Sequence, residues 1–332
     1  MTVPNPYISF VTVSRNDDHG GNPLGRTQTF LNSLYRQCNL YKIPSELIIV
    51  EWNPPEDRKR LEEVLDFPED EGYLTARIIE VPKELHNKFA HSDSMPLFQM
   101  IGKNVGIKRA KGEYILSTNI DILFSDSLMK FISERSLRPN HSYRLDRKDI
   151  GPKGQIIRIN KKYGTYNYRT LKEKIISWMH HTKDEAFRKS EFKRYGYPLI
   201  HTNACGDFTL MAKENWMSLR GYVELELYSF HIDSLLLLAA YYSGMVEIYL
   251  TSPDEIQHIE HGTGSGWTPG EGEMQLYDRL HTDRIPYLTW NDCRKYASDM
   301  RSMRYLSNGV VKLNTSDLWG LSEYILNETI IG

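Results

Sequence analysis

KNVGIKRAKGEYILSTNIDILF, residues Lys103 to Phe124, runs a helix into a buried strand and ends that strand on a carboxylate. Val105, Ile107 and Ala110 build a helix face and Gly112 interrupts it. Tyr114, Ile115 and Leu116 then form a short continuous apolar run, the pattern of a parallel strand covered on both faces. Asn119-Ile120-Asp121 falls where that strand stops. In open α/β sheets ligands bind outside the carboxyl ends of the strands, and residues two apart share a face, so Asn119 and Asp121 would address one ligand. The competing reading is a plain turn, since Asn and Asp are common where strands end.

Upstream, YISFVTVSR (Tyr7 to Arg15) reads as a first strand, followed by a turn-rich loop, NDDHGGN, and a helix from about Leu24 to Tyr41 with Phe30, Leu31, Leu34 and Cys38 at helical spacing. Leu47 to Val50 is a second apolar strand, stopped by Pro54-Pro55 before a charged helix near Glu56 to Leu65, and Ala76 to Val81 is a third strand. Alternating strands and helices predict a parallel sheet with helices on both faces. Further on, helix is expected from Glu214 and over Phe230 to Ser243, a strand over Met245 to Leu250, and a helical region from about Gly272 to the end. Between about Gly151 and Tyr195 basic residues far outnumber acidic ones and tyrosines are interleaved, which reads as an insertion. It is a solvated face, or else a surface for an acidic acceptor or anionic lipid, or a lid over a diphosphate.

The net charge of −2 gives no global reason to expect a nucleic-acid partner, and no nucleic-acid motif accompanies the basic segment. Cys38, Cys205 and Cys293 are too few and too scattered for a disulfide framework or a zinc cluster, which points to a reducing compartment. The N-terminus lacks the basic start and apolar core of a signal peptide, and the most apolar run, Leu235 to Tyr242, falls far short of the roughly 20 residues that span a bilayer. A cytoplasmic protein, at most peripheral at the inner face of a membrane through its basic insertion, is expected.

The order of these segments resembles family 2 type glycosyltransferases of the A-type fold. Tyr7 to Arg15 and ELIIVEWN (Glu46 to Asn53) match that family's first two strands, and Lys103, Asn104 and Gly106 match its Asn-x-Gly helix. Asn119-Ile120-Asp121 matches its Asp-x-Asp signature with Asn in the first place; GDFTLMAKENW (Gly206 to Trp216) and Gly221 to Glu224 match its acceptor-side segment. The resemblance implies a Rossmann-like, mostly parallel α/β sheet flanked by helices. It would form one catalytic domain over 1–270, with a nucleotide-sugar half to about 125, an acceptor half from 126, the basic insertion over about 151–195, and a helical C-terminal extension over 271–332.

It also implies transfer of a sugar from a nucleotide-diphosphate donor, UDP by preference, to a glycan, lipid-linked or small-molecule acceptor, as in polysaccharide assembly. A divalent cation, Mn2+ or Mg2+, would stabilise the leaving diphosphate. Asp121 is then a metal ligand, and QHIEHGTGSGW offers His258 and His261 as its partners, His258 following the preceding strand more closely. Thr12, Ser14 and Arg15 would hold base and ribose, and Glu51 stands where the family puts a base-binding Asp. Lys103 and Asn104 would contact phosphate, base or sugar, against the alternative of an exposed helix start.

For the base of an inverting reaction, Asp233 matches the Asp of the family's acidic pair, with Ile232 in place of Glu. A helix cap is the competing role for Asp233, and His231 is the spare base. Asp207 falls where sugar hydroxyls are contacted, and Trp178, Trp216 and Trp267 are stacking candidates. Two departures from the pattern, Asn119 and Ile232, leave a retaining mechanism open. Two rival functions also stand: a sugar nucleotidyltransferase, which would carry a Gly-rich phosphate loop with a basic residue after the first strand, and a non-catalytic module that binds glycans or nucleotide sugars.

Overall fold

Residues 5–18, 20–68, 72–151, 153–162, 164–167, 185–261, 273–307 and 309–331 are described by the structure, a computed structural model. The first third alternates strand and helix: β1 (Ile8–Ser14), α1 (Pro23–Tyr41), β2 (Ser45–Trp52), α2 (Leu61–Val64), β3 (Leu74–Val81), α3 (Lys83–His86), α4 (Gln99–Arg109) and β4 (Tyr114–Thr118). Then come β5 (Ile122–Phe124), α5 (Asp126–Ser133), β6 (His141–Arg144), β7 (Arg147–Ile150), β8 (Ile156–Lys161), β9 (Gly164–Asn167) and a helical segment, α6 (185–195). The remainder is β10 (Phe208–Ala212), α7 (Lys213–Leu219), α8 (Ile232–Tyr242), β11 (Val246–Tyr249), β12 (Ile256–Ile259), α9 (Glu273–Thr282), α10 (Trp290–Ser307) and β13 (Glu328–Ile331).

Every residue of β1, β2 and β4 is buried, and successive side chains go to opposite layers. Ile8 and Phe10, with Leu47 and Ile49, pack in a cluster with Phe30 and Leu34 of α1 and Leu128 of α5. Val11 and Val13, with Ile48 and Val50, join a second cluster containing Val105 of α4 and Leu235 of α8. Helices on both faces are why these strands read as unbroken apolar runs rather than alternating ones.

The central sheet has eight strands in the order β11-β6-β10-β4-β1-β2-β3-β13. It is mixed, where a mostly parallel sheet is expected from the sequence. β10 runs antiparallel to both β4 and β6, and β13 antiparallel to β3. The expected helical C-terminal region is therefore only partly helical: after α10 the chain returns to the sheet edge as β13. The charged helix expected near Glu56 to Leu65 is only the single turn of α2.

β2 and β3 lie on one side of β1 and β4 on the other, so the order reverses between β1 and β4. That is the topological switch point, where the loops leaving two adjacent strands diverge and open a crevice. α4 lies tight on the sheet here. A Cβ on Gly106 would come within 2.6 Å of Val11, and one on Gly102 within 2.7 Å of Val13, so glycines four apart let the helix backbone approach the strands.

A second, five-stranded sheet, β5-β12-β7-β8-β9, was not expected from the sequence. It is built from short strands, two of which, β8 and β9, fall in the basic segment taken as an insertion. Residues 168–184 of that segment lie outside the described ones. Among the described residues no helix is long and apolar enough to cross a membrane.

Candidate functional site

The chain passes from one sheet to the other through Asn119-Ile120-Asp121, between the end of β4 and the start of β5. Asp121 is fixed there through its backbone, since the Ile259 N–H of β12 donates to its carbonyl at 2.9 Å. The same strand brings in the imidazoles. His258 Nε2 lies 3.8 Å and His261 Nε2 3.1 Å from Asp121 Oδ2. Arg26, in the first turn of α1, adds its Nε at 3.7 Å. Asp121 is only 7% exposed, so the strand-end carboxylate that the sequence presents as accessible is enclosed by three nitrogen-bearing side chains. Burial opposes its ionisation, but His258, His261 and Arg26 overcome that penalty and hold its carboxyl below the usual carboxylate range. Its other oxygen, Oδ1, is buried without a hydrogen-bond partner among the described residues.

This arrangement fits a cation. One ligand atom each from Asp121, His258 and His261 lies within 4.8 Å of the other two. Two imidazoles and one carboxylate leave positions open for substrate, as catalytic metal sites do. An unpartnered buried carboxylate oxygen is costly unless something positive completes it. His261 Nδ1 is likewise buried without a partner, and Gly20 of the β1–α1 loop presses on it: a Cβ there would sit 2.6 Å from that nitrogen. Gly20 takes a left-handed φ of 64°, so the position favours glycine on both counts.

His258 is oriented from behind. Its Nδ1 lies 3.2 Å from Asp149 Oδ1, and the two residues are directly paired across parallel strands β12 and β7. A carboxylate on Nδ1 fixes the tautomer that leaves Nε2 free to face Asp121. Desolvation pushes His258 down, but the carboxylates of Asp121 and Asp149 prevail and raise its pKa. Asp149 also pairs with Arg158 and, at 2.8 Å, with Arg147 Nε. Burial works against its charge, yet His258, Arg147 and Arg158 bring its pKa down to about 2. Asp149, His258 and Glu260 form a second cluster of metal-ligand type, but Asp149 already has two guanidinium partners, so its role there is to orient the imidazole.

Asp207 and Asn119 belong to the same network. β10 is antiparallel to β4, with Phe208 opposite Thr118, so Asp207 precedes its strand at the edge where Asn119 leaves its own. Asn119 Nδ2 donates to Asp207 Oδ1 at 2.5 Å, and Asn119 Oδ1 accepts from Gln99 Nε2 at 3.0 Å. Arg147 takes Asp207 Oδ2. Both oxygens of Asp207 are thereby held by protein groups.

Lys103 and Asn104 do not lie at an exposed helix start. α4 begins four residues earlier, at Gln99, and both side chains are fully buried. Lys103 Nζ donates to the Gly206 carbonyl at 2.6 Å; burial lowers its pKa to about 8 against the opposing pull of Asp207, Asp233 and Asp121. Asn104 donates to the Tyr222 carbonyl at 2.8 Å and to Glu224 Oε1 at 3.0 Å, and accepts from the Tyr222 N–H at 2.8 Å. Both N–H donors of its amide and one lone pair of its oxygen are thereby engaged by the Gly221–Glu224 loop.

Thr12 and Ser14 are buried in β1, and Arg15 reaches the Pro96 carbonyl at 3.2 Å and Asp17 at 3.2 Å. Glu51 is 1% exposed, with Oε1 accepting from the Leu61 N–H at the start of α2 at 3.0 Å. Asp233 is the second residue of α8, two places after the N-cap, which His231 occupies in a left-handed conformation without a side-chain cap bond. Asp233 Oδ1 accepts from the Ser234 N–H at 2.8 Å, and Oδ2 faces Gly206, whose Cβ position would lie 3.0 Å away. His231 stacks edge-on to Trp290, and burial lowers its pKa although Asp233 opposes the shift. Trp216 is core, its Nε1 donating to the Ile115 carbonyl at 3.0 Å; Trp178 and Trp267 lie outside the described residues.

No family model matches the chain, and no curated protein matches it. Among solved structures, the crystal structure of S. aureus TarS 1-349 is similar over 90% of this chain and 72% of that one, at 13% identity and a TM-score of 0.43.

Proposed function

We propose that the chain is a glycosyltransferase that takes a sugar from a nucleotide-diphosphate donor, UDP by preference, with a divalent cation held by Asp121, His258 and His261. The observation that carries this reading is the convergence of those three side chains at the carboxyl-end crevice between β1 and β4. Two nitrogens and one oxygen favour a borderline ion such as Mn2+ over Mg2+, which prefers oxygen ligands. A cation there would supply Lewis-acid stabilisation of the departing diphosphate. Asp149 keeps His258 Nε2 directed at the site, and the β1–α1 loop closes over His261 through Gly20. Thr12, Ser14, Arg15 and Glu51, from the carboxyl-terminal parts of β1 and β2 and the residue after β1, are the candidate contacts for base and ribose.

Asp233 is the base. One of its oxygens is free of hydrogen bonds to the Ser234 backbone and faces the Gly206–Asp207 turn, from which an acceptor hydroxyl of a glycan, lipid-linked or small-molecule acceptor would be addressed. His231 is the alternative proton acceptor, its lowered pKa keeping the imidazole neutral near pH 7.

The β1–α1 loop speaks against a nucleotidyltransferase. A phosphate cradle aims backbone N–H groups at its ligand. Here the carbonyls of Gly20 and Gly21 are turned to Arg26, and the Gly21 N–H is bonded to the Asp18 carbonyl at 2.9 Å. The test is incubation with a panel of nucleotide sugars and Mn2+. Release of nucleoside diphosphate supports transfer; formation or consumption of pyrophosphate instead would favour a nucleotidyltransferase; tight binding with no turnover would favour a binding module.

A further inference from the structure

The side chain closest to Asp121 that cannot serve as a ligand is Arg26. A guanidinium keeps its proton and offers no lone pair, so it contributes to the cluster only as a fixed positive charge. It is buried, with 5% exposure, 3.7 Å from the carboxylate oxygen that both imidazoles also face. Its position is unusual on electrostatic grounds. Arg26 stands in the first turn of the 19-residue helix α1, a turn with no acidic residue, where the helix dipole disfavours a cation and favours an anion. Its NH1 group is anchored on the carbonyls of Gly20 and Gly21, and Gly20 lies against His261. The helix end, the loop and the imidazole therefore close around Asp121, whose Oδ2 faces Arg26 and His261 and whose Oδ1 is buried without a hydrogen-bond partner.

We propose that Arg26 couples cation binding to diphosphate binding: it offsets Asp121 in the free protein, opposes a cation that arrives alone, and pairs with the diphosphate of a nucleotide that arrives with one. The inference rests on the metal site proposed above. Asp121 and Arg26 cancel, so a dication added alone leaves the buried cluster strongly positive beside neutral imidazoles. A diphosphate removes that excess. The guanidinium fork suits phosphate oxygens, and the start of α1 adds favourable potential for an anion. Mn2+ and UDP should therefore each bind more tightly in the presence of the other, and by linkage the factor is the same in both directions.

Calorimetric titration tests this on wild-type protein, Arg26→Gln and Arg26→Lys, with Mn2+ alone and with UDP in saturating Mn2+. Arg26→Gln should bind Mn2+ alone at least about tenfold more tightly, because a like charge has gone, and UDP at least about tenfold more weakly. Arg26→Lys keeps the charge and loses the fork, so its Mn2+ affinity should stay within about threefold of wild type while UDP affinity falls. If Arg26 only clamps the Gly20–Gly21 loop, both substitutions should weaken Mn2+ binding alike, and that result overturns the inference. Wild-type protein that binds no Mn2+ refutes the metal site and this coupling with it. Wild-type protein that binds Mn2+ beside an Arg26→Gln variant that binds it no more tightly refutes the coupling alone.

Discussion

Replacing Glu51 with Gln should stabilise the protein, and only at neutral to alkaline pH. Glu51 is the next-to-last residue of β2, directly opposite Glu80 on β3, with 1% exposure. Burial raises its pKa from 4.5 to about 7, the bond from the Leu61 N–H and the nearby Arg60 offsetting only part of the penalty and Glu80 adding to it. Below pH 4.5 the carboxyl is protonated in both folded and unfolded chains and its burial has no electrostatic cost. Between 4.5 and about 7 the unfolded chain releases the proton that the folded chain keeps, so stability falls as pH rises; above about 7 the loss is complete. At about 1.36 kcal/mol for each tenfold change in proton affinity, the full loss is roughly 3 kcal/mol. Gln retains the oxygen that accepts from Leu61 and carries no charge. Urea denaturation at pH 4.5 and pH 8 should show Glu51→Gln near wild type at the lower pH and more stable by about 2–3 kcal/mol at the higher. A gap of the same size at both pH values, or a less stable variant at pH 8, would refute the reasoning.

Four further outcomes are expected. Asp121→Ala should abolish Mn2+ binding and also cost about 3–5 kcal/mol in urea denaturation, because it strips the carboxylate from buried Arg26 and His258. Asp149→Asn should lower Mn2+ affinity by about 10–100-fold while Asp121, His258 and His261 all remain, measured by titration against wild type. Asn104→Ala should reduce stability by about 1–3 kcal/mol, since it leaves the buried Tyr222 N–H without its partner and takes one donor from Glu224, with UDP affinity unchanged in the folded fraction. Asp233→Asn should cut turnover roughly 100-fold with donor affinity preserved; retained turnover would move the base to His231.

The central strands were legible in the sequence because burial on both faces writes an unbroken apolar run. Leu47 to Val50 and Tyr114 to Leu116 announce themselves, and Leu24 to Tyr41 shows its helical spacing within one residue of α1. The smaller sheet carries no such signal. Its β7 is Arg-Lys-Asp-Ile, and its partners β12 and β5 come from segments more than 100 residues apart in sequence, so pairing rather than local composition defines it. The same distinction runs through the site. Asp121, His258 and His261 were found because carboxylate and imidazole are metal-ligand types in suggestive places. Asp149 was not, because its importance comes from lying opposite His258 across two strands, and Arg26 was not, because an arginine in a first turn looks like surface. For Lys103 and Asn104 the competing reading, an exposed helix start, does not hold: with α4 begun at Gln99, Gly102 and Gly106 meet the sheet, and the two polar side chains are buried with them.

The Asp121→Ala expectation also shows why enclosure matters. Read as an exposed strand end, Asp121 would cost the fold little when removed. In the structure it is the shared counter-charge of one guanidinium from α1 and two imidazoles from β12 and the residues just after it, elements that also share an apolar cluster through Phe30, Leu31 and Ile256. The backbone bond from Ile259 to Asp121 ties the turn carrying Asp121 to β12, and the pairing of His258 with Asp149 sets that imidazole on paired strands. A carboxylate that joins two sheets and belongs to the proposed cation site cannot be altered for one role alone, so stability and Mn2+ affinity should fall together at Asp121 and separate at Arg26, where one of them is expected to rise.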